Sequence, residues 1–368
     1  MVRRSNIAIS LGDPCGIGPE LLLGSLPAIC ASSDVTVVGA RAGADLLEGL
    51  AGAGVAWRWV EPSGRRPPAF SGRAYGLQVH AIGGPPDQVL GEALWLDPTP
   101  EIGVDQLKLG KGTAASGRAT VEAIRVAAQL TLSGATDALV TLPMAKSAAH
   151  LAGYPIPGHT EFLRDLSGVP ITRMAFVSPR LNVVLHTVHQ SLRSVVEGLD
   201  AEAVAETLTF SARQFIRLTG KADLRVALCA MNPHAGEQGA FGGEERLLEA
   251  ALSQATAAFS LSVGPTPAFS GPWPSDSVFQ RAARREFDLV VALYHDQGLI
   301  PVKLLEPARA VNLTLGLPFI RTSPDHGTAF DKAGKWIADP ENFLEATALA
   351  VRLCRGARQT GPPSGGEA

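Results

Sequence analysis

Apolar segments of two kinds alternate along the chain. Short continuous runs, including VTVVGA (35–40), TDALVTLPM (136–144) and FDLVVALYHDQG (287–298), predict buried strands. Longer segments with apolar residues at helical spacing predict helices over 115–134, 201–220, 242–259 and 341–356. Continuous apolar strands between helices are typical of a largely parallel sheet that helices cover on both faces. We therefore predict an α/β fold.

The length of the chain, 368 residues, favours two lobes over a single core. We expect the first α/β lobe to be discontinuous, with residues 1–145 and about 305–358, and the second to take in about 146–304. Residues 61–113 are rich in proline and glycine, which suggests an excursion or arm. The last residues, 359–368, have the composition of a disordered tail.

Composition excludes several classes of function. Hydrophobic residues make up 46% of the chain and charged residues 18%, as in ordinary α/β enzymes. A net charge of −3 without a concentrated basic patch argues against a nucleic-acid partner. No apolar run reaches the roughly 18 residues that a membrane helix needs. The four cysteines are scattered without CxxC spacing, which favours a reducing cytoplasm.

The first candidate motif is GDPCGIGPE (12–20), a glycine-rich loop between a predicted strand and a predicted helix. Its glycines, Gly12, Gly16 and Gly18, do not match G-x-G-x-x-G. Pro19 and Glu20 stand where the phosphate-binding loop of P-loop proteins has Lys and Ser or Thr. The pattern therefore predicts a tight backbone turn and does not support a Rossmann or P-loop nucleotide site.

Three of the eight histidines follow apolar strands directly. They are His189 in LNVVLHTVHQ, His234 in RVALCAMNPH and His295 in LVVALYHDQG. Ligands of open parallel sheets bind beyond the carboxyl ends of the strands, where all three would meet. Three neutral imidazoles with open positions suit a Lewis-acid metal. The alternative is that a neighbouring loop satisfies each histidine, and from the residues alone both hypotheses stay open.

Anion-binding groups surround these histidines in the sequence. His159 and Thr160 start a predicted helix, whose N–H groups favour a negative ligand. Lys303, Asn312 and Arg321 lie in otherwise apolar segments, where cations suit a phosphate or carboxylate. Each of these cations could instead be a surface charge or a partner of a helix end.

Two aspartates are candidates for proton transfer. Asp296 follows His295 directly and could orient that imidazole or act as an acid or base. Asp276 lies in GPWPSDSVF, where it could do the same or simply cap a helix.

Five motifs taken together resemble one family. GDPCGIGPE, PGHTEFL, NPHAGE, YHDQG and NLTLGLPFIRTSPDHGTAFDKAG, in this order, are similar to the 4-hydroxythreonine-4-phosphate dehydrogenase (PdxA) family of vitamin B6 biosynthesis. The resemblance implies a fold like that of isocitrate and isopropylmalate dehydrogenases, with two α/β lobes and a cleft between them. It also implies a homodimer with the active site at the subunit interface, so that the metal histidines need not all come from one chain.

The resemblance assigns roles to matching positions. It implies that His189, His234 and His295 bind a divalent metal, either Zn, Mg or Co. It implies that a phosphorylated substrate is bound by His159, Thr160, Lys303, Asn312 and Arg321. The implied reaction is NAD- or NADP-linked oxidation of the substrate at C3 followed by β-decarboxylation. The sequence identifies no residues for the nucleotide and does not choose between NAD and NADP.

Several positions depart from the family pattern. Leu142 and Cys15 replace smaller residues, and Gln190 follows the metal histidine in HQSLR, where His-x-Pro-Leu-Arg is usual. Such changes leave open a related dehydrogenase of another phosphorylated hydroxy acid, of the threonate 4-phosphate type, or of a cyclic cis-diol carboxylate. The retained anion-binding residues favour a phosphorylated substrate over a diol. A catalytically idle, ligand-binding member is a further alternative.

Overall fold

A computed structural model describes residues 3–50, 54–62, 67, 70–85, 88–260 and 264–359. The strands are β1 Asn6–Ser10, β2 Asp34–Val38, β3 Val55–Val60, β4 Arg73–Ala81, β5 Val89–Asp97, β6 Ala138–Thr141, β7 Arg173–Val177, β8 Asn182–Leu185, β9 Arg225–Cys229, β10 Ala268–Trp273, β11 Leu289–Ala292, β12 Val311–Leu315 and β13 Ile320–Ser323. The helices are α1 Gly18–Cys30, α2 Arg41–Asp45, α3 Ala114–Leu132, α4 Lys146–Leu151, α5 His159–Ser167, α6 Leu192–Glu197, α7 Ala201–Thr219, α8 Glu245–Ser260, α9 Ser275–Ala283, α10 His295–Leu305 and α11 Glu341–Gln359.

The chain forms two compact units. The first unit comprises Met1–Pro170 and Leu317–Cys354, and the second comprises Ile171–Gly316 and Arg355–Ala368. These boundaries differ from the expected ones at 145 and 305. Helix α5 stays in the first unit because Leu163 packs in the core of that unit together with residues of α3. Strand β12 stays in the second unit because it pairs antiparallel with β7.

The sheet of the first unit has the strand order β13-β6-β1-β2-β5-β4-β3. Strands β13 to β5 are parallel, and the hairpin of β3 and β4 adds two antiparallel strands at one edge. Residues 73–81 and 89–97, which we interpreted as part of an excursion, therefore belong to this sheet. The reason is an apolar alternation that the prolines and glycines obscure: Leu77, Val79 and Trp95 are buried.

The sheet of the second unit has the strand order β10-β9-β11-β8-β7-β12. The first four strands are parallel, and β7 is antiparallel to both of its neighbours. Residues of β8, β9, β11, α9 and α10 form the buried apolar cluster of this unit. The prediction of an α/β fold with a largely parallel sheet is confirmed.

Two further sequence predictions concern the C-terminal tail and membrane-spanning helices. Residues 360–368, most of the expected disordered tail, lie outside the described residues. Among the residues that the structure describes, no helix has both the length and the apolar character to cross a membrane.

Helices α3 and α4 of the first unit approach each other closely at Gly117. A Cβ atom on this residue would overlap the backbone of Ala148 and Ala149. Gly117 is buried within the third helix, where propensity alone would favour alanine. Glycine is therefore required here by packing, and it allows α4 to lie against α3.

We predict that Gly117→Ala destabilises the protein. Overpacking costs about 1–3 kcal/mol, which exceeds the 0.5–1 kcal/mol or so that alanine gains over glycine inside a helix. Thermal unfolding followed by circular dichroism should show a lower midpoint. Gly243→Ala is the control, because a Cβ there meets no atom within 4 Å. A raised midpoint for Gly117→Ala would contradict the packing explanation.

Candidate active site

Three neighbouring strands of the second unit end at the same edge of its sheet. Strands β8, β11 and β9 are adjacent and parallel. The segments that follow them carry His189, His295 and His234, respectively. The carboxyl ends of parallel strands face one side, so the topology brings the three histidine segments to one edge.

Two of these imidazoles lie close together. The ring centroids of His189 and His295 are 5.8 Å apart. His295 is the first residue of α10, and its Nδ1 lies 2.7 Å from Oδ1 of Asp296. A carboxylate on one ring nitrogen fixes the tautomer and leaves Nε2 for another ligand, which is how metal-binding histidines are usually oriented.

His234 lies in a tight left-handed turn, Pro233–Gly239. The φ angles of His234, Ala235, Glu237 and Gln238 are 51°, 52°, 40° and 56°. Left-handed backbone costs an L residue roughly 1–2 kcal/mol, so the surroundings must hold this turn in place. One such contact is at its start, where the carboxylate of Glu245 accepts a hydrogen bond of 2.7 Å from the backbone N–H of Asn232.

Two imidazoles at this edge, those of His189 and His295, are available to bind a metal. A third ligand would require His234 to bind the same ion. Among the described residues, no group of three or more His, Cys, Asp or Glu side chains is arranged to hold a metal. The donor chemistry of His189 and His295 nevertheless fits a divalent cation, because both side chains reach solvent and Asp296 orients one of them.

A cavity of about 370 Å³ in the second unit is lined by both candidate aspartates, Asp276 and Asp296, the second of which directly follows His295. Asp276 lies in the first turn of α9 and does not cap that helix, since the N-cap position is Pro274. Both carboxylates are exposed and therefore available to a ligand. Tyr294 and Ile300 also line this cavity.

Gln297 holds the ends of three strands in register, a role that sequence reasoning missed. Its Oε1 accepts a hydrogen bond of 2.6 Å from the N–H of Leu293, after β11. Its Nε2 donates to the carbonyl of Ala230 at 2.8 Å, after β9, and to the hydroxyl of Ser275 at 2.9 Å, after β10. The available signal was a polar residue in YHDQG, within an otherwise apolar segment.

The first unit contains a second group of candidate residues, around Arg321. This residue lies in β13, is buried, and donates from Nη2 to Oγ1 of Thr141 at 2.6 Å. Burial lowers the pKa of its guanidinium to about 10. His159 begins α5, and burial, with further contributions from Arg321 and Lys146, lowers its pKa well below the usual value. His159 is therefore neutral near pH 7, and its buried Nε2 has no hydrogen-bond partner among the described residues.

The other predicted substrate-binding residues lie in both units. Thr160 follows His159 in the first turn of α5. Lys303 is exposed on α10 of the second unit. Asn312 is in β12, and its Oδ1 is buried without a hydrogen-bond partner among the described residues. The structure thus brings His159, Thr160 and Arg321 into one unit and Lys303 and Asn312 into the other.

The glycine loop between β1 and α1 organises the first unit. Gly12 has φ +72°, and a Cβ there would overlap the backbone of Pro143, whose carbonyl accepts a hydrogen bond from Asp13 N–H at 2.9 Å. Asp13 accepts hydrogen bonds from Cys15 N–H at 2.9 Å and from the hydroxyl of Ser116 at 3.2 Å. The loop therefore ties the ends of β1 and β6 to the start of α3.

Comparison with known proteins identifies the family. The family model described as "Pyridoxal phosphate biosynthetic protein PdxA" matches residues 79–350. The chain belongs to this family. It is 38% identical to a 4-hydroxythreonine-4-phosphate dehydrogenase from Synechococcus sp., and the match covers 94% of each chain. It is 37% identical to a D-threonate 4-phosphate dehydrogenase from Cupriavidus necator, with 94% of this chain and 96% of that protein covered.

A solved structure agrees with this family assignment. The crystal structure of a 4-hydroxythreonine-4-phosphate dehydrogenase from Klebsiella pneumoniae matches with a TM-score of 0.79 at 34% identity, and the match covers 96% of this chain and 98% of that chain. The similarity therefore extends over nearly the whole of both proteins, and the predicted family is confirmed.

The three departures from the family pattern lie in different environments. Leu142 and Cys15 are fully buried in the first unit. Burial raises the pKa of the Cys15 thiol to about 11, which keeps it protonated and unreactive. Gln190, in contrast, is exposed beside His189. Of the three, Gln190 is the one whose side chain can face a ligand at the histidine edge.

We predict a pH-dependent effect of Asp13→Asn on stability. Burial raises the pKa of Asp13 from 3.8 to about 6. The folded state therefore favours the protonated acid, and this contribution is fully present below pH 3.8 and lost as the pH rises through 6. Relative to the wild type, the variant should gain up to about 3 kcal/mol between pH 4 and pH 7.

Thermal unfolding of both proteins across this pH range measures the difference. Asp105→Asn, in an exposed turn, is the matched control and should show no comparable trend. A difference between wild type and Asp13→Asn that is independent of pH would contradict the assigned pKa.

Proposed function

We propose that this protein is an NAD(P)-linked, divalent-metal-dependent dehydrogenase that oxidises 4-phosphohydroxy-L-threonine at C3. β-Decarboxylation of the resulting 3-keto acid then gives 3-amino-2-oxopropyl phosphate. Two observations together support this proposal. The similarity to the family extends over nearly the full chain, and three histidines follow adjacent parallel strands. The reaction would supply an intermediate of pyridoxal phosphate biosynthesis.

Each unit carries candidate residues for the anionic groups of the substrate, around Arg321 in the first unit and around Lys303 in the second. A buried guanidinium suits a phosphate because it presents several N–H donors in a plane. Neutral His159 can donate or accept a hydrogen bond, and Thr160 adds a hydroxyl at the start of α5. In the second unit, Lys303 carries an ammonium and Asn312 an amide, and both remain candidates for substrate binding.

His189 and His295 would hold the metal, with His234 as the third ligand from the same chain or from a second copy. A divalent metal at such a site supplies Lewis-acid chemistry, which polarises a hydroxyl or carbonyl oxygen. Asp296 orients His295, and with Asp276 it is a candidate to take the hydroxyl proton as the hydride leaves C3 for the nicotinamide. The bond between the carboxylate and C2 then breaks as carbon dioxide leaves, and C2 is protonated.

A second candidate substrate is threonate 4-phosphate. The Cupriavidus necator relative is nearly as similar as the Synechococcus one, and the segment HQSLR has Ser191 where the family pattern has proline, two residues after His189. Oxidation at a hydroxyl-bearing carbon followed by decarboxylation needs the same groups for both substrates. The choice between them would depend on the residues that contact the amino or hydroxyl group at C2.

The proposed enzyme is a cytoplasmic homodimer. All four cysteines lie in the described part of the chain and are free thiols, as expected in a reducing compartment. On α10 the apolar side chains of Ile300 and Leu304 are 65% and 81% exposed. They are four residues apart and so share one face of the helix, close to His295. A second copy that covers this face would bring its own residues near the histidine edge.

We predict metal-dependent NADH or NADPH formation, followed at 340 nm, with 4-phosphohydroxy-L-threonine as substrate. Threonate 4-phosphate and a cyclic cis-diol carboxylate are the comparison substrates. His189→Ala and His295→Ala should each lower kcat/KM by at least about 100-fold, since loss of even an outer metal contact costs 10–100-fold.

His80→Gln, on β4 of the first unit, is the matched control and should retain wild-type turnover. If the protein turned over only one of the other two substrates, the metal-dependent hydride transfer would stand, but the enzyme would belong to a different pathway. Complete absence of metal-dependent turnover on all three would favour the idle, ligand-binding alternative.

We also predict that the double variant Ile300→Asp with Leu304→Asp is monomeric. An interface on this face of α10 would have to remove water from the two new carboxylates, and that cost disfavours the dimer. Light scattering coupled to size-exclusion chromatography should give about 38 kDa for the variant and twice that for the wild type. Leu151→Asp changes an equally exposed leucine on α4 and should stay dimeric. A monomeric wild type would refute the proposed homodimer.

A further inference from the structure

Lys146 lies beside the candidate anion-binding residues of the first unit, although the family resemblance gives it no role. It is the first residue of α4, shortly after the end of β6. Its side chain reaches the start of α5: a Cβ built on Gly158 would lie 3.7 Å from Lys146 Cε and 3.9 Å from Nζ. Gly158 is the residue directly before His159 and Thr160.

Lys146 is one of two cations close to His159. Among the described residues, no carboxylate lies within 4.0 Å of the Lys146 ammonium as an ion-pair partner. Arg321, fully buried, acts on the same imidazole of His159 as Lys146 does. Glu161 supplies the carboxylate nearest to Gly158, with Oε2 3.0 Å from the position of its Cβ. Arg321 and Lys146 are thus two positive charges that act on the neutral imidazole of His159, and the carboxylate of Glu161 lies near Gly158.

The start of α5 adds further donors to this group. Gly158 has no side chain to cap the helix, and the structure gives it no side-chain cap bond. The buried Nε2 of His159 also has no hydrogen-bond partner among the described residues. An ammonium, a guanidinium, an imidazole and uncapped N–H groups in one place favour a ligand with more than one negative charge.

We propose that Lys146 is a specificity-determining residue that binds the phosphate dianion of the substrate together with His159 and Arg321. This rests on the proposed function, in which the substrate is a phosphorylated hydroxy acid. The Nη2 of Arg321 donates to Thr141, so part of the guanidinium is already engaged within the protein. Lys146 is exposed at the surface end of the group and supplies a mobile point charge for the remaining oxygen.

The test compares Lys146→Met, which keeps most of the length of the side chain without its charge, with Lys146→Arg. In Lys146→Met, KM for the phosphorylated substrate should rise roughly 10- to 100-fold with kcat unchanged, the range of one hydrogen bond to a charged group. The inhibition constant of inorganic phosphate should rise in parallel. In Lys146→Arg, the KM for the substrate and the inhibition constant of phosphate should both return most of the way to their wild-type values. Thermal midpoints of the variants should match the wild type, because Lys146 is exposed.

Lys221→Met is the matched control. Lys221 lies before β9 in the second unit, where it pairs with Asp223 and Asp288, and its loss should leave KM and phosphate inhibition unchanged. An unchanged KM and phosphate constant in Lys146→Met would overturn the proposal. A lower kcat with unchanged KM would also overturn it, since Lys146 would then act in the chemical step.

A direct binding measurement separates this proposal from the proposed function. If the wild type turned over none of the phosphorylated substrates, the dehydrogenase assignment would fail. Binding of inorganic phosphate, measured by calorimetry on the wild type and lost in Lys146→Met, would still support the anion site. Equal phosphate binding by both proteins would refute it.

Discussion

The parallel pairing of β8, β11 and β9 is the constraint on which the candidate site depends. Because these three strands run in the same direction, the segments after them leave the sheet at one edge. Gln297 strengthens this arrangement by joining the ends of β9, β10 and β11 through one buried side chain. A reversed or shifted strand would remove a histidine from the edge, whatever the chemistry of that residue.

The glycine loop after β1 has a comparable role in the first unit. Its glycine at position 12 accepts a close backbone approach, and Asp13 bridges the loop to the start of α3. Burial raises the pKa of the Asp13 carboxyl, which therefore lowers stability at neutral pH. The loop resembles a nucleotide-binding loop in its glycine content, but the contacts described here are with other groups of the protein itself, both backbone and the Ser116 hydroxyl.

Much of this could be predicted from the sequence, and the failures have physical causes. Continuous apolar runs identified the parallel strands, and with them the edge that carries His189 and His295. Strands β4 and β5 were missed because prolines and glycines around them obscured a two-residue alternation that buries Leu77 and Trp95. The left-handed turn that carries His234, the burial of Asp13 and the reach of the Lys146 side chain depend on tertiary contacts, which periodicity does not encode.

The central claim is that imidazoles at the carboxyl edge of the second unit hold a divalent metal. X-ray absorption spectroscopy of the zinc-loaded protein measures this directly, because imidazole rings give characteristic outer-shell scattering. The account predicts three imidazole ligands at about 2.0–2.1 Å, with one fewer in His295→Ala. A zinc environment without imidazole scattering, or one that is the same in His295→Ala, would contradict it.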